Sequence, residues 1–139
     1  MSVEKNKELI RREVDAWNNK DLAAFDELFA PTYVHSDPAQ PEIRDLDGMK
    51  MFAQTMWETY PDFHATLDSL VGDDDLVVKR YTLTGTHQGS MAGEPATGNS
   101  IKLTGMTMFR VKDGKIVESW WNYDMMSILQ QLGLAPANA

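Results

Sequence analysis

The chain has 139 residues, 42% hydrophobic and 24% charged, which suits one domain, residues 1–139, with a real core. Its net charge of -8 is the wrong sign for a phosphate-binding surface, so nucleic acid is not expected as a partner. Cysteine is absent, which excludes disulfides, thiolate nucleophiles and thiolate metal sites together.

The N-terminus, MSVEKNKELIRREV, is charged and amphipathic, and no segment is apolar enough to span a bilayer. A soluble cytoplasmic protein with no membrane partner is the expectation. Val3 to about Asn19 reads as a helix, with Ile10, Val14 and Trp17 in one stripe. Asp21 caps a second helix bearing Leu22, Phe25, Leu28 and Phe29, and Pro31 ends it. Tyr33 to Ser36 is a short extended piece that turns out at Asp37-Pro38. The segment AQPEIRDLDG is loop. Asp47 is expected to cap a third helix carrying Met49, Phe52, Met56 and Tyr60, which stops at Pro61.

Strands follow. Phe63 to Val71 alternates and ends at the turn Gly72-Asp73-Asp74-Asp75. Leu76 to His87 is long and rich in β-branched and aromatic residues. Gly89 to Asn99 is loop, Ser100 to Val111 is a third strand, Asp113-Gly114 is a hairpin turn, and Ile116 to Tyr123 is a fourth strand. MMSILQQLGL closes the chain as a short helix capped near Gly133. Helices followed by an antiparallel meander make an α+β fold. The third strand carries Ile101, Leu103 and Phe109 on one face and Met106 and Met108 on the other. Trp120 and Trp121 also point opposite ways. Grouped helices cover one face only, so the other face predicts a homodimer through the sheet, unless the terminal segments cover it.

The segment from Lys115 to Asp124 concentrates the candidate chemistry. Counting back from Asp124 by twos gives Asn122, Trp120, Glu118 and Ile116, which share one face of an unbroken strand. A carboxylate beside a tryptophan on a half-buried face is poorly solvated and suited to act as a base. Asp124 also stands where an N-cap of the last helix would stand, and the two roles are compatible. Asp37, before Pro38, is a turn residue or a second candidate base. His87 shares a face with Tyr81 and Leu83, where it can donate to a substrate oxygen or bond loop backbone. Trp57, Trp120, Met91, Met106 and Met108 are candidate pocket-lining residues, with plain core as the alternative. Arg80 can pair with Glu118. The three histidines, His35, His64 and His87, form no H-x-x-x-H pair, and no metal site is expected.

The runs Glu27-Leu28-Phe29-Ala30-Pro31, Tyr60-Pro61-Asp62-Phe63, Gly85-Thr86-His87-Gln88-Gly89 and Thr104-Gly105-Met106, then Phe109-Arg110-Val111, Asp113 to Glu118 and Leu129-Gln130-Gln131-Leu132-Gly133, together resemble the SnoaL-like polyketide cyclase (ester cyclase) family. The resemblance covers nearly the whole chain. It implies the nuclear-transport-factor-2-like fold, a cone of curved sheet and helices around one apolar pocket. It also implies a cofactor-free and metal-free general acid/base, acting on a small apolar carbonyl compound to close a ring by intramolecular aldol condensation. Asp124 stands at the position of that acid/base. Many relatives carry a histidine immediately before the position of Asp37. Here Ser36 stands there, and His35 comes one residue earlier, an offset that puts its side chain on the opposite face of an extended segment; His35 and Tyr33 are candidate substrate-binding residues. The segment Phe29 to Pro38 is also similar to ketosteroid isomerases of the same superfamily, in which Asp37 would be the proton-shuttling base. The isomerase oxyanion donors would fall at Glu13 and Thr107, which do not reproduce that pair. A pocket protein without catalysis, binding a hydrophobic metabolite or serving assembly, is the alternative from another class.

Overall fold

A computed structural model of the chain describes residues 2–90 and 95–134. Helix α1 (Val3–Asn18) starts on Ser2, whose side chain accepts from the Lys5 N–H, and buries Leu9, Ile10, Val14 and Trp17. Asp21 caps α2 (Leu22–Leu28) through the Ala24 N–H, as its sequence predicts. Strand β1 (Phe29–Ser36) begins directly after it, earlier than expected, and runs through Pro31. β1 is an edge strand, where a missing N–H is tolerated.

Helix α3 (Leu46–Thr59) is capped by Asp45, not Asp47. The Asp45 backbone is extended and its carboxylate accepts from the Gly48 N–H at 2.8 Å, whereas Asp47 lies in the first turn. There Asp47 meets the positive end of the helix dipole without terminating the helix. The remaining strands are β2 (His64–Asp73), β3 (Leu76–Thr86), β4 (Ser100–Lys112) and β5 (Lys115–Tyr123), followed by helix α4 (Met125–Leu132). Gly133 ends α4 at φ 74°, a left-handed conformation that glycine adopts without steric cost.

The sheet order is β1-β5-β4-β3-β2. The last four strands form an antiparallel meander and β1 joins β5 in parallel. The helices pack on one face of the sheet. Trp17 ties the layers together, with its ring 5.5 Å from Phe25, 5.8 Å from Trp57 and 6.0 Å from Trp121. This is the α+β cone expected of a nuclear-transport-factor-2-like chain.

One irregularity decides which residues face inward. Arg110 pairs with Glu118 but Val111 pairs with Ile116, so β5 holds one extra residue between Ile116 and Glu118. Such a bulge inverts the side-chain alternation beyond it. Ile116 is buried under the helices, and past the bulge the inward positions are Ser119, Trp121 and Tyr123. Glu118, Trp120 and Asn122 therefore face outward, together with Met106 and Met108 across the sheet. On that face Met106 is 50% exposed and Val34 is 49% exposed.

Candidate functional site

The inner sheet face and helices α1, α3 and α4 line an open-mouthed cavity of about 630 Å³. That volume lies within the range of small-molecule sites. Its walls are mostly apolar, including Val14, Trp17, Phe52, Met56, Leu83, Leu103, Ile128 and Leu129. The strand register arranges the inner face in rows. Tyr81, Gly105 and Tyr123 form one cross-strand row, and Lys79, Thr107 and Trp121 form the next. Lys79, Tyr81, Thr107 and Tyr123 of these two rows line the cavity, with Gln40 and Glu42 from the 37–42 loop and Thr55 and Thr59 from α3.

The loop supplies Asp37 and Gln40. Asp37 is buried, and one of its oxygens accepts from the Ala39 N–H at 2.9 Å. Its other oxygen accepts from the Tyr123 hydroxyl at 2.7 Å, while Gln40 Nε2 donates to the same hydroxyl at 3.2 Å. Burial pushes the Tyr123 phenol well above its ordinary range, and its bond to Asp37 pushes the same way against Gln40. Tyr123 therefore presents a protonated oxygen to the cavity, with a carboxylate behind it.

The second polar group is built on β3. Lys79 Nζ lies 2.7 Å from Glu13 Oε1, and Trp17 Nε1 donates to Glu13 Oε2 at 3.1 Å. Both partners of the ion pair are buried. The ammonium also lies 5.1 Å from the Tyr81 ring centroid and 5.4 Å from that of Phe109. Tyr81 is hydrogen-bonded to Thr107, and burial pushes its phenol up to about 12. Gly105 makes room for it: a Cβ there would stand 2.5 Å from the Tyr81 hydroxyl.

The expected site residues separate into groups. Asp37 is brought behind the cavity wall, where it accepts from the lining residue Tyr123. Asp124 is exposed and caps α4, with Oδ1 accepting from the Ser127 N–H at 3.0 Å. Its neighbours Tyr123 and Met125 line the cavity, which places Asp124 beside the wall. Trp120 and Asn122 are corrected to the opposite face of the sheet, because the bulge in β5 inverts the alternation, and Met106 and Met108 of β4 pair with them on that outer face, away from the cavity. Trp57 is core: its Nε1 donates to the Trp17 carbonyl at 3.1 Å and its ring stacks on Phe25.

Tyr33 and His35 lie inside the wall. The Tyr33 hydroxyl is 2.7 Å from His35 Nδ1 and also bonds Ser119, while the His35 ring sits 4.4 Å from that of Trp121. His35 therefore lies behind Trp121, outside the cavity lining. Burial lowers its pKa to about 4. His87 is fully buried under the loop after β3, where the Thr97 N–H donates to its Nδ1. Met91 lies outside the described residues. Arg80 pairs with Asp68 at 3.8 Å, and Glu118 pairs with Arg110 instead. Among the described residues no three carboxylate or imidazole groups gather to hold a metal, and no helix is long and apolar enough to cross a membrane.

Lys79, Tyr81 and Tyr123 are the cavity groups that the pattern of residue types did not single out. A signal existed. Lys79 alternates with Val77 and Tyr81 on a strand with an apolar face, and Glu13 interrupts the Ile10-Val14-Trp17 stripe. Opposite charges on two buried faces predict that those faces meet.

The fold and the cavity together define a cone-type protein with a pocket of small-molecule size. The model of the SnoaL-like polyketide cyclase family matches residues 7–132, and the chain belongs to that family. Among solved structures, AclR from Streptomyces galilaeus, a proposed hydroxylase, aligns with TM-score 0.87 and 29% identity over 97% of this chain and 89% of its own. IdmH from Streptomyces antibioticus, a proposed polyketide cyclase, aligns with TM-score 0.83 and 34% identity over 92% and 98% of the two chains. A proposed polyketide cyclase from Acidithiobacillus ferrooxidans gives TM-score 0.83 and 30% identity over 98% and 100%. No curated protein matches the chain by sequence.

Proposed function

We propose that the protein is a cyclase-type enzyme that moves protons on a small apolar carbonyl compound bound in the cavity, with Tyr123 and Asp37 as the acid/base pair. The observation that carries this reading is the Tyr123 hydroxyl, which lines the cavity while donating to the buried Asp37 carboxylate at 2.7 Å. In the forward step a proton α to a carbonyl moves to the Tyr123 oxygen as the Tyr123 proton moves to Asp37. The electron pair of the C–H bond enters the enolate. The enolate carbon then bonds to a second carbonyl carbon of the same molecule. The resulting alkoxide takes a proton from Tyr123 as Asp37 returns its own. The sum is an intramolecular aldol closure that needs no added reagent.

A second reading keeps Asp124 as the acid/base. It rests on the family resemblance and on the position of Asp124 between two cavity-lining residues. One oxygen of Asp124 is held by the Ser127 N–H, and catalytic hydrogen bonds of the other can form only once substrate is bound. The outer face, with Met106 and Val34 exposed beside a half-buried Trp120, further supports a homodimer through the sheet.

Exchange of α-protons in D2O over a panel of β-keto esters and polyketide-like methyl esters separates these readings. Tyr123→Phe and Asp37→Asn are expected to lose about 10²–10⁴-fold in exchange rate, with Asp124→Asn near wild type. Loss confined to Asp124→Asn would move the base to the wall's edge. No exchange by wild type on any of these compounds would favour a binding protein of the same fold.

A further inference from the structure

A charged lysine in a mostly apolar cavity calls for a reason beyond stability. A buried ion pair is often no more stabilising than apolar residues of the same volume. The distribution of hydrogen bonds across this pair is uneven. Glu13 is satisfied at both oxygens, by Lys79 Nζ and by Trp17 Nε1. Among the described residues the Lys79 ammonium has one acceptor, Glu13 Oε1, although it carries three N–H groups. Glu13 is almost wholly buried beneath the pair, whereas Lys79 lines the cavity. The free donor capacity of the pair therefore lies with Lys79.

The neighbouring hydroxyl is fixed as well. Tyr81 lies two residues along β3 from Lys79, on the same face, and its phenol end rests over Gly105. Leaning over β4, it points along the row toward Tyr123, whose Cα stands two strands away, roughly 10 Å. Thr107 sits between the Lys79 and Trp121 positions and bonds Tyr81, which limits rotation of that hydroxyl. Donors held in place within an apolar enclosure favour an oxygen that carries negative charge.

We propose that Lys79 and Tyr81 form a receptor for one acidic oxygen of the ligand, so that the cavity selects apolar compounds with an enolisable 1,3-dicarbonyl group and holds them as the enolate. This deepens the proton-transfer reading, since the enolate oxygen would sit at Lys79 and Tyr81 while the carbon that loses its proton faces Tyr123. For a compound that is already enolic, the O–H proton leaves to the buffer and the charged oxygen stays against Lys79.

The probe is 1-(2-naphthyl)butane-1,3-dione, with 2-acetylnaphthalene as the control that lacks the acidic position. Enolate absorbance is followed against pH, free and at saturating protein, and affinities come from tryptophan fluorescence. Wild type is expected to raise the ionisation constant of the bound diketone at least about tenfold. Glu13→Gln/Lys79→Met removes both charges together and so leaves no lone buried carboxylate. It is expected to abolish that rise, with monoketone binding serving to show that the cavity remains. Tyr81→Phe, with the ion pair intact, is expected to lose several-fold of the rise.

An unchanged ionisation constant in wild type, or a full rise retained in either variant, overturns the receptor. If the double variant loses monoketone binding through collapse of the cavity, Tyr81→Phe decides alone. A rise that obeys these expectations in a protein showing no α-proton exchange would sink the proton-transfer reading and leave the receptor standing.

Discussion

His35 makes the stability of this protein sensitive to mild acid. The imidazole is 3% exposed, packed between Tyr33 and Trp121, and burial lowers its pKa to about 4 from an ordinary 6.5. Its folded pKa lies below its unfolded pKa, so below neutrality the unfolded chain binds the proton more readily. Stability must then fall as pH drops through the unfolded value and level off only near pH 4. From pH 7 to pH 5 the linkage amounts to a loss of up to about 2 kcal/mol from this one group. Urea unfolding followed by tryptophan fluorescence at both pH values measures it. His35→Gln keeps a polar group at the position and removes the titration. The difference between the two proteins cancels the carboxylates and the other histidines. Wild type should lose about 2 kcal/mol more than His35→Gln between pH 7 and pH 5. Equal losses would show that His35 is not held neutral by burial.

Two further outcomes follow from the placement of the strand-end residues. Asp124→Ala should lower stability by about 1 kcal/mol by uncapping α4, while Asp124→Asn, which caps as well, should melt with wild type. A drop of the same size in Asp124→Asn would mean that Asp124 holds more than the helix end. On the outer face, wild type should sediment as a dimer at micromolar concentration and Met106→Glu/Val34→Glu as a monomer with an unchanged far-ultraviolet spectrum. A monomeric wild type would contradict the sheet-face interface.

The order and nature of the elements were legible because their signals are local. Asp21 before an apolar run, Asp113-Gly114 between alternating segments and Gly133 after the last apolar turn each act within a few residues. The faces of β4 were legible for the same reason, since Ser100 to Lys112 alternates without interruption. The face of β5 was not. Counting from Asp124 to Ile116 assumes an unbroken strand, and one extra residue between Ile116 and Glu118 turns Trp120 and Asn122 away from the cavity. Nothing in Lys115 to Tyr123 marks that residue, because a bulge is defined by the partner strand. Asp37 became a candidate base only through the resemblance of Phe29 to Pro38 to ketosteroid isomerases, since Asp-Pro by itself marks a turn. Its link to Tyr123 spans 86 positions and is set by how the 37–42 loop folds back over the sheet. The Glu13–Lys79 pair likewise joins residues 66 apart, and only the folded structure shows that these two charges, each on an otherwise apolar face, meet.

The most direct measurement is a crystal structure of the protein with a β-keto ester blocked at the ring-closing carbonyl. The account predicts one ligand oxygen within hydrogen-bond distance of Lys79 Nζ and the Tyr81 hydroxyl, and the acidic carbon facing the Tyr123 oxygen with Asp37 behind it. A ligand seated against Asp124, with Tyr123 and Lys79 making no contact to it, would contradict the account.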